Sequence, residues 1–571
     1  MVQSQLHELT LLATRRAYPD IALPQFVVSH PENEDHGDYS VNIALVLARQ
    51  INQSSSSVAD NILSNFGPMA IVDRVEIAGP GFINFYLKPN FFWSHVEQAI
   101  ELASNYGRDQ AVSGKRIIFE YGQPNTHKVA HIGHLYSYCY GESCSRLLEA
   151  TGSDVIRANY QGDIGPHVAK CLFAYLKNNL PDPESLSDKV AYLQECYQQG
   201  STAYDDPEIS HEIDELNRRL YRHDPEIISV WEKTRQWSLD AYREFEARLG
   251  IHYDRHYLES EVYSAGTKAV TDAVGKYFLQ DDGAIIFRGE PYGLHTRVFV
   301  NRHGNPTYEA KDIGLIQKKR EEYDFDLAIV ETGNDQKEYW QVVKQAIELL
   351  FPEIIGKLTT LHHGMVNLST GKMSSRSGEI LTAFSLVENV KDRIRTFINE
   401  HRDYPDSEVE RIAEIVAIGA IKYSLLRSSA GRDLMFDIET SISFEGNSGP
   451  YLQYTYARCQ SVLVKSNFSE ANVNALSELP LDKLEPKELA LLRYIYRYGE
   501  TMNEAATSYA PHMLATYLFE LASRFGAFYG EHHIITDNEA TTELRLSLTA
   551  ATSQVLKNGL HLLGIDVADR I

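Results

Sequence analysis

The sequence predicts a multidomain α/β protein, in which a parallel-sheet domain lies between an N-terminal α+β module and a C-terminal all-α helical bundle. Length is the first reason, because 571 residues and 64.7 kDa amount to about three to four typical domains. The second is a strand, a loop, a helix and another strand within residues 116–160, the repeating unit of doubly wound parallel sheets. The third is the nearly continuous helical pattern from residue 385 onward.

The first 110 residues predict the α+β module. The expected elements are helices over residues 2–18, 38–51 and 57–66 and strands over 72–77 and 82–87. The two strands are separated by Gly79-Pro80-Gly81, a combination typical of a tight turn between paired strands.

The parallel-sheet domain is predicted over residues 111–385. It begins with the apolar strand Arg116–Tyr121, continues through a helix, and reaches a second strand at Asp154–Tyr160. Residues 166–250 are charged and helical in pattern, so they are expected to form an insertion that interrupts the sheet. Further strands are expected at residues 284–288, 296–300 and 327–331, followed by a helical connector over 386–450 and a C-terminal helical domain over 451–571.

Charge and cysteine usage limit the class of protein. The chain carries 54 Lys and Arg against 78 Asp and Glu, a net charge of −24, which on its own argues against a nucleic-acid partner. Five scattered cysteines without a C-x-x-C spacing fit a reducing cytosol. No apolar run is long enough to cross a bilayer. We therefore expect a soluble, cytoplasmic protein without a membrane partner.

A candidate phosphate site follows the first parallel strand. His131-Ile132-Gly133-His134 stands at the expected start of a helix, where free backbone N–H groups bind phosphate. Gly133 permits close approach to the backbone, and imidazoles can donate hydrogen bonds to phosphoryl oxygens. The alternative is a pair of histidines that merely cap the helix.

Two further loops carry chemistry that suits a nucleotide. Gly371–Gly378 contains Lys372 and Arg376 among serines and glycines, and such a loop can close over a triphosphate. Gly333-Asn334-Asp335-Gln336 follows a predicted strand, which places it to bind ribose hydroxyls. Taken singly, the first is more often a solvated surface loop and the second an ordinary turn.

Together these segments resemble the class I aminoacyl-tRNA synthetases, with a HIGH motif, a G-x-D-Q segment and a KMS loop about 240 residues after HIGH. Within that class the chain is similar to the arginyl-tRNA synthetases. The segments that carry this similarity are Pro124-Asn125 and Lys128 before HIGH, Asn159–Gly165, Ser443–Tyr454, Pro511–Leu518 and Val555–Leu560. The sequence departs from the family at Gln123, usually Ser, and at Tyr136, commonly Arg.

The resemblance implies an arginine–tRNA ligase. Residues 111–385 would form a Rossmann-like class I catalytic domain, with an N-terminal module that contacts tRNA and a C-terminal domain that binds the anticodon. The implied partners are tRNA(Arg), L-arginine and ATP, without DNA. Mg²⁺ would arrive with ATP, not in a protein-held metal site, and the enzyme would be a monomer.

The resemblance also implies roles for individual residues. His131, His134 and Lys372 would be catalytic, the histidines at the α-phosphate and the lysine at the β- and γ-phosphates. The ATP-binding residues would be Lys128, Gly133, Gly333, Asp335, Met365, Val366, Met373 and Arg376. The loop reads K-M-S-S-R where the class has K-M-S-K, and either Lys128 or Arg376 could replace the missing lysine.

The arginine site would consist of Asn125, Glu259, Tyr308, Asp312 and Gln336. A guanidinium needs carboxylates in a dry, fork-matching arrangement, and Tyr308 and Asp312 are four apart at a predicted helix start, so they share one face. Asn125 would contact the α-amino and carboxylate end. The alternative for each acid is an exposed helix charge or a structural salt bridge.

Two other functions remain open from the sequence. One is a class I ligase or nucleotidyltransferase of different specificity, and the other is a non-catalytic RNA-binding paralogue. Intact HIGH histidines and Lys372 argue against the paralogue. Residues 456–571 carry 10 Lys and Arg against 14 Asp and Glu, a net of −4, so bound tRNA would require a local basic stripe on an acidic surface.

Overall fold

The computed structural model describes residues 2–108, 114–369, 382–468 and 481–571, with the side chain of residue 482 left out. The chain forms two compact units. The first contains Met1–Gly107, Arg458–Thr501 and Glu520–Asn558, and the second contains Arg108–Ala457, Met502–Phe519 and Gly559–Ile571. The first break lies close to the boundary predicted at residue 110, whereas the C-terminal helices are shared between both units.

Helices account for most of the described chain. They are α1 (Val2–Ala17), α2 (Ile43–Ile51), α3 (Ser55–Leu63), α4 (Pro89–Glu101), α5 (Ile132–Ala150), α6 (Pro166–Asn178), α7 (Leu186–Ala203), α8 (Pro207–Tyr221), α9 (Pro225–Arg248), α10 (Glu259–Asp272), α11 (Tyr308–Glu322), α12 (Lys337–Leu350), α13 (Ala383–His401), α14 (Asp406–Leu426), α15 (Ile438–Ser441), α16 (Gly449–Ser466), α17 (Pro486–Thr507), α18 (Pro511–Glu531) and α19 (Glu539–Leu562). Among the residues that the structure describes, no helix is long and apolar enough to span a membrane.

The strands belong to four small sheets. They are β1 (Val28–Ser29), β2 (Tyr39–Val41), β3 (Val72–Ala78), β4 (Phe82–Leu87), β5 (Arg116–Glu120), β6 (Asp154–Gln161), β7 (Arg255–Leu258), β8 (Leu279–Asp281), β9 (Ala284–Phe287), β10 (Arg297–Val300), β11 (Leu327–Gly333), β12 (Leu358–His363), β13 (Val366–Leu368) and β14 (Leu434–Phe436).

In the first unit, an antiparallel sheet of order β1-β2-β4-β3 packs with the N-terminal helices. The helix predicted over 38–51 is wrong at its start, because residues 39–41 form β2. Tyr39 and Val41 are buried on either side of a half-buried Ser40, and Tyr39 pairs with Phe85. This alternation favours a strand.

The C-terminal helix α17 joins the same unit through buried polar contacts. The Tyr39 hydroxyl donates to Glu500 at 2.6 Å, and the Arg493 guanidinium pairs with Asp38 at 2.8 Å. These contacts give charged groups at the edge of the module the partners that burial requires.

The second unit is built on a five-stranded sheet of order β12-β11-β5-β6-β7, in which every neighbouring pair is parallel. The central strands β5 and β11 are mostly apolar and buried, as expected inside a parallel sheet. Helices α6–α9 interrupt the sheet between β6 and β7 and bury their own apolar cluster around Leu172, Leu220 and Trp231. The predicted α/β class and the helical insertion are confirmed. Strands β7 and β12, at the two edges of the sheet, were missed.

Two glycines bring α10 and α11 into close contact on one face of this sheet. A β-carbon at Gly266 would lie 1.8 Å from the Ala310 carbonyl oxygen, and one at Gly314 would lie 2.1 Å from the Val262 carbonyl oxygen. Because no larger residue fits either position without moving backbone, these glycines fix how closely the two helices approach.

Candidate active site

The carboxyl ends of four parallel strands form the candidate site. Asn125 lies in the loop after β5, Glu259 begins α10 directly after β7, and Gly333 ends β11. Asn125 pairs with Gly162, beyond β6, as an isolated parallel bridge, and a β-carbon at Gly162 would lie 2.1 Å from the Asn125 side-chain oxygen. Ligands of open α/β sheets bind at this edge, so the fold gathers the candidate residues where a nucleotide site is expected.

The two HIGH histidines cap helix α5. The Gly133 backbone N–H donates to Nδ1 of His131 at 3.1 Å, and the His131 backbone N–H donates to Nδ1 of His134 at 3.2 Å. Their ring centroids are 3.9 Å apart. Since each Nδ1 accepts a backbone hydrogen bond, a neutral ring must carry its proton on Nε2. Capping and phosphate binding are therefore compatible here, because each Nε2–H is left to donate.

Both imidazoles are held in the neutral form. Loss of hydration and the nearby Lys128 ammonium lower the pKa of His131. Burial, followed by His131, lowers the pKa of His134 well below its usual value. Neutral donors at a helix N-terminus can stabilise an anionic phosphoryl group without changing protonation state.

Of the four residues predicted to contact the ATP phosphates as cations or loop neighbours, Lys128 lies within the described part of the chain. The Lys128 ammonium lies 4.5 Å from the centre of the Tyr197 ring, so the helical insertion supports it from one side. Lys372, Met373 and Arg376 lie outside the described residues.

The residues predicted to bind the nucleoside lie at the end of β11, in the turn after it, and at the start of β13. Gly333 ends its strand, and a β-carbon there would lie 2.5 Å from Oδ1 of the exposed Asp335. The Met365 backbone N–H donates to Asp433 at 2.8 Å, and its carbonyl accepts from Leu434 at 2.8 Å. These bonds occupy the backbone of Met365, whereas Val366, the next residue of a parallel ladder, turns its backbone groups the other way.

All five residues that the sequence predicts to bind arginine line one pocket of about 450 Å³. Asn125, Glu259, Tyr308, Asp312 and Gln336 line it, together with Asp335 from the predicted ribose site. Tyr308 is 56% exposed, so it lies at the mouth. The pocket is lined further by Glu120, Gln123, Tyr160, Gly162, Arg297, Thr332, Tyr339 and Trp340, none of which the sequence interpretation assigned to the arginine site.

The two fully buried carboxylates of the pocket, Glu120 and Glu259, already have lysine partners. Glu259 accepts from Nζ of Lys311 at 2.5 Å, and Glu120 pairs with Lys319, both groups being almost fully buried. Burial raises the pKa of Glu259, and the Lys311 ammonium opposes that rise. Lysine partners of this kind offset the cost of burying a charge.

Asp312 differs from both. Its Oδ2 accepts a hydrogen bond from the Tyr339 hydroxyl at 2.5 Å, and no cation within the described ranges lies within salt-bridge distance of its carboxylate. Burial raises the pKa of Asp312 well above its usual range, although the Tyr339 hydroxyl opposes this. Asp312 is therefore a pocket carboxylate without a cation partner among the described residues, which suits a positively charged ligand.

Gln123 and Arg297 complete the wall. The Gln123 amide donates to Glu120 at 2.8 Å and to the Glu331 carbonyl at 3.2 Å, so the residue that departs from the family pattern stays within the pocket's polar network. Arg297 pairs with Glu309 at 3.2 Å, and its guanidinium carbon lies 5.2 Å from the Tyr339 ring centre.

Comparisons with known proteins agree with this geometry. Residues 95–438 match the family model for the catalytic domain of class I tRNA synthetases (R), residues 452–571 match the DALR anticodon-binding domain, and residues 1–87 match the arginyl-tRNA synthetase N-terminal domain.

Full-length relatives point the same way. The arginine–tRNA ligase of Treponema denticola is 29% identical over 95% of this chain and 94% of its own length. That of Borrelia turicatae is 30% identical over 94% and 93%. The arginyl-tRNA synthetase structures of Thermus thermophilus (TM-score 0.81, 24% identity, 100% of both chains) and Plasmodium falciparum (TM-score 0.80, 19% identity, 100% and 99%) share the fold. The chain belongs to the class I arginyl-tRNA synthetases.

Proposed function

We propose that this enzyme ligates L-arginine to tRNA(Arg) in two steps. A carboxylate oxygen of arginine attacks the α-phosphorus of ATP, and pyrophosphate leaves to give arginyl-adenylate. A ribose hydroxyl at the tRNA 3′ end then attacks the carbonyl carbon of the adenylate, and AMP leaves. Such chemistry depends mainly on positioning and charge stabilisation.

The single observation that carries the amino-acid assignment is the unpaired Asp312 carboxylate. In the proposed complex, Asp312, Glu259 and Tyr308 bind the guanidinium end with Gln336 nearby, while Asn125 faces the α-amino and carboxylate end. Lysine or citrulline should bind more weakly, because each leaves pocket carboxylates partly unpaired.

His131 and His134 would donate to the α-phosphate through Nε2, and Gly133 permits close approach to the helix N-terminus. Gly333 and Asp335 would bind the ribose, and Val366 would face the adenine edge. Lys128, with Lys372, Met373 and Arg376 of the KMS loop, would contact the phosphates. Mg²⁺ would enter with ATP, and we expect tRNA to be required for arginine activation.

We further propose that the N-terminal module contacts the tRNA and that the C-terminal helices read unpaired anticodon bases. Binding should weaken steeply with salt despite the net charge of −24, because released counterions dominate phosphate contacts. A monomeric enzyme in the cytoplasm, where ribosomes consume charged tRNA, is consistent with this role.

The decisive experiment is aminoacylation with labelled arginine and total tRNA, followed by tRNA-dependent ATP–pyrophosphate exchange with each amino acid. Arginine alone should support both reactions. Exchange with a different amino acid would indicate another class I ligase, and tRNA binding without charging would indicate a non-catalytic RNA-binding protein.

A further inference from the structure

Tyr160 is one of the residues that line the amino-acid pocket. It lies near the carboxyl end of β6, and Ala158, two residues earlier, pairs with Glu120 of β5. Because alternate residues of a strand face the same side of the sheet, Tyr160 and Glu120 share one face. Helices α10 and α11 pack on that face, where Tyr160 contributes to their common apolar cluster.

The Tyr160 hydroxyl is buried without a hydrogen-bond partner in the described part of the chain. The whole residue is only 9% exposed, and its surroundings are acidic, because burial and then the carboxylates of Glu259, Asp312 and Glu120 raise its pKa well above the usual value. A buried hydroxyl without a partner is costly. It is retained most readily where a ligand supplies the missing hydrogen bond.

Two neighbouring tyrosines differ from Tyr160, because their hydroxyls have protein acceptors. The Tyr339 hydroxyl donates to Asp312 at 2.5 Å, and the Tyr257 hydroxyl, on the adjacent strand, donates to Glu322 at 2.9 Å. Tyr160 pairs in register with Tyr257 and lines the pocket, yet its own hydroxyl has no protein acceptor among the described residues.

A guanidinium offers five N–H donors and no acceptor. Asp312 can accept from it, but Glu259 already accepts from Lys311. An additional acceptor between these carboxylates would therefore complete the set. We propose that Tyr160 is a specificity-determining residue, whose hydroxyl accepts one hydrogen bond from the guanidinium of bound arginine. This inference rests on the proposed function.

The test compares Tyr160→Phe with a matched control, Tyr257→Phe, in tRNA charging. Both changes remove one buried phenolic oxygen and keep the ring. Tyr160→Phe should raise the KM for arginine by about ten- to hundredfold, the loss expected for a hydrogen bond to a charged group. The KM for ATP should stay within about twofold, since the adenine and phosphate contacts are untouched. Tyr257→Phe should change neither KM.

Two results would overturn the inference. One is an arginine KM in Tyr160→Phe that stays within about twofold of the unmodified enzyme, and the other is a parallel rise in the KM for arginine and for ATP, as a general packing defect would give. Failure of the unmodified enzyme to charge arginine would instead refute the proposed function.

Discussion

Asp312→Asn should weaken arginine binding and leave the free enzyme as stable as before, or more stable. The substitution keeps the shape of the side chain and an oxygen for the Tyr339 hydroxyl, which lies 2.5 Å from Oδ2. It removes the negative charge that has no cation partner among the described side chains. Breaking a buried ion pair costs about 3–5 kcal/mol, or roughly 150- to 5,000-fold in affinity. Because Asp312 is only half-buried and Glu259 remains, we expect a value near the lower end.

The stability effect follows from proton binding. Burial raises the pKa of Asp312 in the folded protein, so the folded state binds this proton more tightly than the unfolded state. Stability is therefore lost as pH rises above the usual Asp value of 3.8. Asparagine has no such proton. The stability advantage of Asp312→Asn should appear above that pH and grow until Asp312 in the unmodified enzyme is fully ionised.

Glu259→Gln is the matched contrast. Glu259 is paired with Lys311 at 2.5 Å, and both side chains are only 4% exposed. Removing its charge leaves a buried ammonium uncompensated and should destabilise the protein by about 3–5 kcal/mol. The assays are the KM for arginine in tRNA charging and denaturant unfolding of the free enzyme. If Asp312→Asn destabilises the enzyme as much as Glu259→Gln does, the view of Asp312 as an unpaired carboxylate is wrong.

Three further predictions concern the phosphate site and the helix contact. The kcat for charging should stay flat from pH 8 to about 6.5, because the HIGH histidines have lowered pKa values; a break near 6.5 that His134→Asn abolishes would contradict this. Lys128→Ala should slow pyrophosphate exchange about tenfold. The control is Lys170→Ala, which should not slow it, although the Lys170 ammonium also lies over a tyrosine ring, at 4.2 Å. Equal exchange rates in the two variants would indicate that Lys128 is an ordinary surface lysine. Gly314→Ala should destabilise the enzyme by about 1–3 kcal/mol and raise the KM for arginine. The control is Gly530→Ala, where a β-carbon meets nothing within 4 Å. An unchanged melting temperature in Gly314→Ala would show that α10 and α11 can move apart at little cost.

The sequence predicted the features that depend on local pattern. Alternating and helical periodicity located β5, β6 and the helical insertion, and the motif residues located the helix start at His131. The predicted start of the second helix is wrong, because the strand that replaces it, Tyr39–Val41, shows alternating burial over only three residues. Such a short strand gives little periodic signal before the helix that follows it.

The pocket lining shows the limit of motif reasoning. Asp312 was identified from a family pattern, whereas its hydrogen-bond donor Tyr339 lies 27 residues away on another helix, a separation that no local pattern encodes. Glu120 carried a usable signal, since it is an acid at the end of a strand whose three preceding residues are apolar and buried, and Tyr160 lies near the end of the neighbouring, mostly buried strand. Acids and hydroxyls in such positions are costly unless they serve a site.

The arrangement of charges suggests how the enzyme selects a single guanidinium. Glu120 and Glu259 are neutralised in advance by Lys319 and Lys311, so they contribute shape and acceptor atoms without adding net charge. Of the three carboxylates Glu120, Glu259 and Asp312, only Asp312 has no cation partner among the described residues and remains to be matched by the ligand. If all three carboxylates were unpaired, the pocket would favour any multivalent cation and would repel itself when empty. An uncompensated charge surrounded by polar acceptors instead favours a ligand that combines a single positive charge with several N–H donors. This combination distinguishes arginine from lysine and citrulline.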